Sequence, residues 1–465
     1  MPREREVDVG ETLESQPLGW FHVVTVFFCL LVVIVDGLDF GAGNVAAPAI
    51  LKALKADPKE MGLVFGWMYT GILLGSFGLG WVGDRYGRRA GAIAGVFIYS
   101  LPAIATAFAG SMNELMVLRF ITGLGIGGVI PNTIALTTDN APKRYRATFT
   151  VLTFVGYSAG TAVIASISAI YIPVYGWPVV FLITGIVGTV LGFVLLACLP
   201  ESIRFLALRK PGSAALRRQM RRLMREPALA PDAAYVLRQE PTTKSFTPRM
   251  LFVGNLRWTT PLLWIAYFAD SFTFMSLRSW MPVLLVGAGL SQSDASLSVA
   301  YGSTGGIFVL LLLARPLDRW GPIASLVAEG VAVAALIAMT VSGLSNMSLL
   351  WLSVIVTMAG TGTHNSLNGT VGIFYPTSVR SNGVGFATGM GRFAAIIGPT
   401  LTGYLLSAKL PLDEMLYLMA LPCLIVALAC IPLGGIYKRS FAPNAPASTA
   451  ASTLAPPVLQ ADRPT

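Results

Sequence analysis

The sequence predicts an all-α integral membrane protein with twelve transmembrane helices arranged as two six-helix repeats. Three observations support this: the composition, the recurrence of apolar segments, and marks shared by the two halves. Of the 465 residues, 54% are hydrophobic and 12% charged, which is too apolar for a soluble globular protein. Apolar segments of about 20 residues are long enough to cross a bilayer as helices. We place them at 21–47, 60–82, 91–109, 113–138, 148–170, 177–199, 258–286, 294–314, 322–343, 348–371, 382–406 and 414–437.

The positions of the basic residues predict the orientation of these spans. The net charge is +10, and Lys and Arg favour the cytoplasmic side of a membrane. We therefore expect both termini in the cytoplasm, and we take the basic excess as a topology signal rather than as a sign of nucleic-acid binding. Arginine and lysine are concentrated in the connections 83–90, 139–147, 315–321 and 372–381, whereas 110–112, 171–176, 287–293 and 344–347 contain none, and only Lys52, Lys55, Lys59 and Lys409 lie on that second side.

The segments outside the spans divide the chain into five parts. The first 20 residues are too acidic and too long for the n-region of a signal peptide, so we expect the first span to remain in the mature protein. A basic stretch at 209–226, with Leu and Met interleaved, predicts one or two helices held on the membrane face by lipid headgroups. The four cysteines fall in spans with no zinc or disulfide spacing and are expected to pack as small apolar residues. The predicted parts are a cytoplasmic tail (1–18), a first bundle (19–199), a central cytoplasmic loop (200–256), a second bundle (257–437) and a disordered cytoplasmic tail (438–465).

The two halves repeat at a constant offset of 234 residues. This shift places Asp36 on Asp270, and it places the quartet DRYG (84–87) on DRWG (318–321). Similar membrane topology alone would explain matched arginines but not matched Asp-Arg-aromatic-Gly quartets. Two parallel six-helix repeats around a central pathway are typical of a transporter whose halves rock against each other.

The connection GWVGDRYGRRAG (80–91) carries the clearest motif. Gly83 and Gly87 permit a tight turn and a close backbone approach, and Asp84 is placed to pair with arginines across the cytoplasmic mouth. Such pairing would hold one conformation shut and release it in the other; a solvated loop that only fixes topology is the simpler alternative. The connection resembles the signature loop of the major facilitator superfamily, and its copy at 315–321 lies where that superfamily has one. The expected gating residues are Gly83, Asp84, Arg85, Gly87, Arg88, Asp318 and Arg319.

Further stretches are similar to the aromatic acid:proton symporter family of that superfamily, and the similarity covers nearly the whole chain outside the tails. The resemblance implies proton-driven uptake of an aromatic carboxylate, such as benzoate or a hydroxybenzoate, across a bacterial inner membrane. It also implies that no cofactor is needed, and we expect a monomer surrounded by lipid. The stretches are DGLD (36–39), RFITGLGIGGVIPN (119–132), APKRYRAT (141–148), SWMPVLL (279–285) and FYPTSVRSNGVGFATGMGRFAAIIGP (374–399), with the less specific LPESIRF (199–205) shared by sugar porters.

Two acids in the first span, Asp36 and Asp39, need an explanation, because a carboxylate at the bilayer centre costs roughly 2.5–3.5 kcal/mol. With a rise of ~1.5 Å per residue, Asp39 and Arg119 both lie roughly 10–12 Å below the outer surface and can meet. Asp36 is one turn deeper on the same face. Two acids beside one arginine leave one carboxylate uncompensated and able to bind a proton reversibly. We expect these three residues to couple protons to transport. The sequence does not say which acid carries the proton, and a structural ion pair is the alternative.

The second half supplies the candidates for substrate binding. Arg392, near the middle of span 11, is the first candidate for the substrate carboxylate, because a guanidinium binds a carboxylate with two hydrogen bonds. Asp270 lies at a similar depth, so a salt bridge between Arg392 and Asp270 is the alternative. Arg278, nearer the outer end of span 7, is interpreted as a second carboxylate contact, an outer gate or a snorkelling side chain. His364 and Asn365 could hydrogen-bond the substrate or simply pack.

Aromatic residues are further candidates for contact with an aromatic ring. Trp280, Tyr157 and Phe154 could stack on it, although aromatic residues in spans often only pack. Glu329 is expected nearer the cytoplasmic end, where it could pair with a loop arginine, and we assign it no transport chemistry.

Two other functions compete with proton-coupled import. A drug:proton antiporter usually carries a G-P-x-x-G-G-like stretch in span 5, where this chain reads GYSAGTAVIA. A transporter-shaped sensor would signal through the central loop, which contains no recognisable catalytic or binding domain. An enzyme is disfavoured because phosphate loops, metal-ligand clusters and nucleophile-base sets are not found. The chain also carries no ATPase module, so we expect an ion gradient to supply the energy.

Overall fold

Long helices make up most of the protein. The computed structural model describes residues 6–224, 234–237, 247–254, 256–341, 343–376 and 379–440. The predicted disordered tail therefore lies outside the described residues from 441 onward. The elements are β1 (Glu6–Asp8), α1 (Val9–Ser15), α2 (Trp20–Leu54), α3 (Pro58–Tyr86), α4 (Arg88–Thr106), α5 (Met112–Asp139), α6 (Lys143–Tyr175), α7 (Pro178–Cys198), α8 (Ile203–Arg209), α9 (Ala214–Met224), β2 (Ala234–Val236), a 3₁₀ turn (Pro248–Phe252), α10 (Leu256–Gly287), α11 (Gln292–Trp320), α12 (Ile323–Ala338), α13 (Asn346–Thr370), a second 3₁₀ turn (Val371–Ile373), α14 (Arg380–Ser407) and α15 (Leu412–Ser440).

The twelve predicted spans correspond one to one with α2–α7 and α10–α15 in the described part of the chain. The largest difference is in the first span, whose helix continues seven residues beyond the predicted end, to Leu54, whereas the helices of the third and ninth spans end early, at Thr106 and Ala338. Eight of the described helices are long and apolar enough to cross a membrane by themselves. Among the other four, α12 has only 16 residues. The apolar character of α10 and α14 is interrupted by charged groups such as Asp270 and Arg392, which point to a function inside the bundle.

The repeat inferred from the sequence is present in the helix boundaries. A shift of 234 residues takes the first residues of α3, α5 and α7, which are 58, 112 and 178, to 292, 346 and 412, the first residues of α11, α13 and α15. The two signature loops each place a glycine at a positive φ. Gly87 has a φ of 123° and Gly321 a φ of 61°, values at which glycine avoids the steric cost of a side chain.

The two halves touch at the end of the bundle opposite the chain termini. There α3 crosses α14 closely, because a Cβ placed at Gly403 would lie 2.9 Å from Gly62 Cα. The hydroxyl of Ser293 donates to the carbonyl of Ala169 at 2.7 Å. Towards the termini a space between the halves continues, because its lining includes Ile134 of α5 and Thr388 of α14. The molecule is therefore closed at one end and open at the other.

A small subdomain covers the terminus side of the first half. β1 and β2 form a two-stranded parallel sheet. Glu14 of α1 accepts hydrogen bonds from the backbone N–H of Lys143 at 2.7 Å and from Arg146 at 3.2 Å. Of the one or two helices predicted in the basic stretch 209–226, the described residues contain one, α9. Leu216 and Met220 of α9 are buried against this subdomain, so the apolar face of α9 packs on protein. Contact of its basic residues with lipid headgroups stays a prediction.

Candidate functional site

A cavity of about 440 Å³ lies between the two halves. Both halves contribute to its wall, and aromatic side chains such as Phe40, Tyr157 and Phe274 make up much of it. Its volume falls within the range of small-molecule sites, which are concave, largely apolar and equipped with a few polar groups. The polar groups are what distinguish this cavity from a packing defect.

Arg278 lies at the centre of an aromatic cluster in this wall. Its guanidinium carbon is 5.0 Å from the ring centroid of Phe40, 5.2 Å from Tyr157 and 5.6 Å from Phe274. The Nη2 group donates to the hydroxyl of Thr161 in the other half at 2.7 Å. Among the described residues no carboxylate forms an ion pair with it. Arg278 thus lies on the outer part of α10, as predicted, and lines the cavity between the halves.

Arg392 also lines the cavity. It donates a hydrogen bond to the Ser76 hydroxyl of α3, which again links the two halves. The salt bridge with Asp270 that the sequence allowed is not present: within the described residues neither Arg392 nor Arg278 has a carboxylate partner. Asp270 instead pairs with His364, whose Nδ1 lies 2.6 Å from Asp270 Oδ2. The cavity therefore contains two guanidinium groups without a carboxylate partner in the described structure.

The other predicted contacts divide into two groups. His364, Asn365, Tyr157 and Phe154 all line the cavity, and His364 stacks on the ring of Phe274 with centroids 4.6 Å apart. Trp280 does not line it. It is fully buried and donates from Nε1 to the carbonyl of Pro399 at 2.8 Å, and its ring meets Phe65 edge to face. The prediction that Trp280 contacts the substrate ring is therefore wrong, and Trp280 packs between helices instead.

Sequence reasoning missed several residues of the aromatic cluster. Phe274 lies four residues before Arg278 and so one turn away on the same helix. Thr161 lies four residues after Tyr157, on the same face of α6. The i,i+4 spacing of Phe274 from Arg278, and of Thr161 from Tyr157, was the available signal. Phe40 follows Asp39 directly and carried no comparable signal.

In the first half, Asp39 and Arg119 meet as predicted. Arg119 Nη1 lies 3.2 Å from Asp39 Oδ2, and both side chains are almost completely buried. Thr184 donates to Asp39 Oδ1 at 3.4 Å, while Arg119 Nη2 donates to Thr106 at 2.9 Å. The guanidinium also lies 4.7 Å from the ring centroid of Phe181. The ion pair is thus enclosed by polar and aromatic partners.

Asp36 differs from Asp39 although it lies only one turn away. It is fully buried, and neither carboxylate oxygen has a hydrogen-bond partner in the described structure. The hydroxyl of Tyr99, also without a described partner, is within electrostatic range of Asp36. A buried carboxylate without a partner is costly when charged, so Asp36 is suited to hold a proton.

The loop between α3 and α4 is tightly packed. A Cβ at Gly83 would overlap the Asn132 side chain, and one at Gly87 would overlap the carboxylate of Glu201, which explains both glycines. Asp84 pairs with Arg88 one turn further on rather than across the mouth. Arg85 stacks near Trp81 and Tyr86, and Arg319 near Trp320, while the side chain of Asp318 lies outside the described residues.

These features define a class of protein. Two helical repeats that enclose a central cavity, closed at one end and open at the other, are the architecture of an alternating-access secondary transporter. A family model for the Major Facilitator Superfamily matches residues 29–399, and the chain belongs to this superfamily. It is a multi-pass membrane protein of a family of transporters rather than enzymes.

Similar proteins narrow the assignment within the superfamily and confirm the resemblance to the aromatic acid transporters. The 4-hydroxybenzoate transporter PcaK of Pseudomonas aeruginosa is 30% identical over 443 residues, which cover 95% of this chain and 98% of the relative. The gallate transporter of Pseudomonas putida is 31% identical and covers 94% and 98% of the two chains. The benzoate transport protein of Acinetobacter baylyi is 30% identical and covers 88% of each.

Solved structures support the fold alone. A bacterial homologue of the human lysosomal transporter Spinster, in an inward-facing and occupied conformation, superposes with a TM-score of 0.65 at 16% identity. The match covers 90% of this chain and 98% of that one. The predicted all-α major facilitator fold is therefore confirmed.

Proposed function

We propose that this protein imports an aromatic carboxylate of the benzoate or hydroxybenzoate type together with protons. One observation carries the proposal: the aromatic cavity between the halves contains Arg278 and Arg392, neither of which has a carboxylate partner in the described structure. An anion that enters a cavity of low polarity needs a fixed positive group. An aromatic acid supplies both the anion for a guanidinium and the ring for the surrounding aromatic side chains. The names of the relatives agree with this substrate class.

The direction and the driving force are part of the same proposal. We place the termini in the cytoplasm of a bacterial inner membrane, so that the open end of the cavity faces inward. We propose that the protein works as a monomer, without a cofactor, and that the proton gradient drives it. Asp39 and Arg119 form the enclosed ion pair, and Asp36 is the acid that exchanges the proton.

The test is uptake into vesicles that contain the purified protein. With an imposed inward proton gradient, the parent should accumulate labelled benzoate and should not accumulate benzamide, which lacks the carboxylate. Asp36→Asn should lose accumulation yet retain exchange of benzoate across the membrane, because exchange needs no net proton movement. Asp39→Asn should also lose accumulation, because it leaves Arg119 buried without its counter-charge.

Asp413→Asn is the matched control, since Asp413 is an exposed acid at the start of α15. It should behave as the parent does. Gradient-driven accumulation by Asp36→Asn at the level of the parent would overturn the proton-coupling role of Asp36. Equal uptake of benzoate and benzamide by the parent would overturn the substrate class.

A further inference from the structure

A second group of buried ionisable side chains lies in the other half of the protein. Asp270 of α10 and Glu329 of α12 are each 4% exposed. Asp270 Oδ2 is 2.6 Å from Nδ1 of His364, which lies on α13. Glu329 does not reach a loop arginine as the sequence suggested. It lies inside the bundle, beside Cys423 of α15 and Thr363 of α13.

A small space is bordered by both acids. A void of about 30 Å³ is lined by Asp270, Glu329, Cys423 and, at its other side, Arg278. A space of this volume can hold a water molecule, and the polar lining offers the hydrogen bonds that such a water needs. Water at this position would connect the two carboxylates. His364 connects the group to solution, because it also lines the central cavity.

Charge compensation for the two acids is incomplete. In the described structure neither acid forms an ion pair with a lysine or arginine; Asp270 has only His364, and Glu329 has polar neighbours. Two carboxylates that share a buried site cannot easily both be ionised, so one bound proton would remove the conflict. The other titratable or charged groups facing the cluster are Tyr267 and Arg278 from α10 and Cys423 and Cys430 from α15.

We propose that Asp270, His364 and Glu329 form a second proton-binding site, which takes up one proton when substrate binds at Arg278. The inference rests on the proposed function and deepens it by assigning a further coupling site. The proton enters from the cavity at His364, passes to Asp270 and is shared with Glu329 through the water in the void. An empty Arg278 repels this proton. A substrate carboxylate neutralises Arg278, so substrate and proton favour each other's binding.

Linkage gives the proposal a measurable form. When binding of one ligand takes up one proton, the apparent Kd rises about tenfold for each pH unit above the titration range. Asp36 also makes the apparent Kd depend on pH. The contribution of the second site is therefore the difference between the parent and a variant that lacks this site. Glu329→Gln is the best variant, because Glu329 does not line the cavity and the amide resembles a protonated carboxyl in shape.

The experiment measures benzoate binding to the purified full-length protein between pH 6 and 8.5, together with the protons taken up in weakly buffered solution. Glu329→Gln should take up about one proton fewer per benzoate than the parent. It should keep the Kd of the parent at pH 6 and bind about tenfold more tightly than the parent at pH 8.5. Asp270→Asn should lose the same proton. Glu414→Gln, the same substitution at an exposed position in the first turn of α15, is the matched control and should behave as the parent does.

The outcomes separate this inference from the proposed function. If the parent binds no benzoate, both fail. If the parent binds benzoate but Glu329→Gln takes up as many protons as the parent, the second site is wrong and the proposed substrate class stands. Should Glu329→Gln not fold, Asp270→Asn decides by the same count of protons. A lower affinity of Glu329→Gln at every pH with an unchanged count would show only a packing role and would also overturn the inference.

Discussion

The structure makes its most direct prediction at Arg278. Replacement by lysine keeps the positive charge but removes the planar fork that can hold a carboxylate with two hydrogen bonds. In the structure one arm of the guanidinium already donates to Thr161 at 2.7 Å. The rest of the guanidinium lies among three aromatic rings at the cavity wall. A lysine ammonium, which is more strongly hydrated, would have to serve Thr161 and the substrate from a single nitrogen.

The expected loss follows from the hydrogen bond that disappears. A hydrogen bond to a charged group contributes roughly 1.5–3 kcal/mol. At 1.4 kcal/mol for each factor of ten, this predicts that the Kd for benzoate rises about 10-fold to 150-fold in Arg278→Lys. Arg278→Ala removes the positive charge as well, so it should bind benzoate and benzamide with similar affinity.

The assay is competition binding of benzoate and benzamide to purified protein at fixed pH. Arg257→Lys is the matched control, because it is the same substitution at an exposed position of the same helix. Arg392→Lys should be measured beside it, since Arg392 was the first choice from the sequence. If Arg278→Ala still prefers the acid over the amide as the parent does, the carboxylate is not held at Arg278. A loss confined to Arg392→Lys would then assign it to Arg392.

Two further predictions concern the loop at the open end. Asp84→Asn should slow transport with little change in equilibrium affinity, because Asp84 pairs with Arg88 far from the cavity; a large loss of affinity with normal turnover would contradict this. The Glu201 carboxylate accepts a hydrogen bond from the backbone N–H of Arg89 at 3.0 Å, and burial raises the pKa of the Glu201 carboxyl. The pKa in the folded state is above the unfolded value of about 4.3, so its stabilising contribution is present below that value and is lost as pH rises through the folded pKa. Acidification from pH 7 towards 4.5 should therefore raise the melting temperature of the parent relative to Glu201→Gln, and parallel curves would contradict this.

Those parts of the structure that depend on local signals could be predicted from the sequence. Each span is a long apolar run, and its ends are marked by residues that cap helices. Asp57 and Glu60, for example, form a capping box at the start of α3. The Asp39–Arg119 pair was also predictable, because the rise along a helix gives the depth of each residue and the two depths agree.

Which helix face meets the cavity could not be predicted. Arg278 and Trp280 are two residues apart, so a turn of ~100° per residue points them to nearly opposite sides of α10. Arg278 reaches the cavity and Trp280 packs on α14. The position of Arg278 along α10 was predicted well: the helix ends at Gly287, one residue from the predicted end, so Arg278 is nearer its outer end. The choice of partner for Asp270 depended on the packing of α13, which no pattern within α10 reveals.

The internal repeat shows how the two acid sites came to differ. The 234-residue shift that places Asp36 on Asp270 also places Asp39 on Thr273 and Arg119 on Ser353. The second half thus keeps the deeper acid of the pair but has neither the second acid nor the arginine. Glu329 and His364, which come from α12 and α13, supply the other ionisable groups there.

This difference argues for a division of labour between the halves. In the first half, Arg119 compensates Asp39 inside a closed shell of partners, so the charge of that pair depends little on what occupies the cavity. In the second half, no described arginine or lysine forms an ion pair with Asp270 or Glu329, and Arg278, the charged group that borders their void, also lines the central cavity. Arrival of an anion at Arg278 changes the field at those acids directly. The acids of the second half should therefore respond to substrate more strongly than the Asp39–Arg119 pair does.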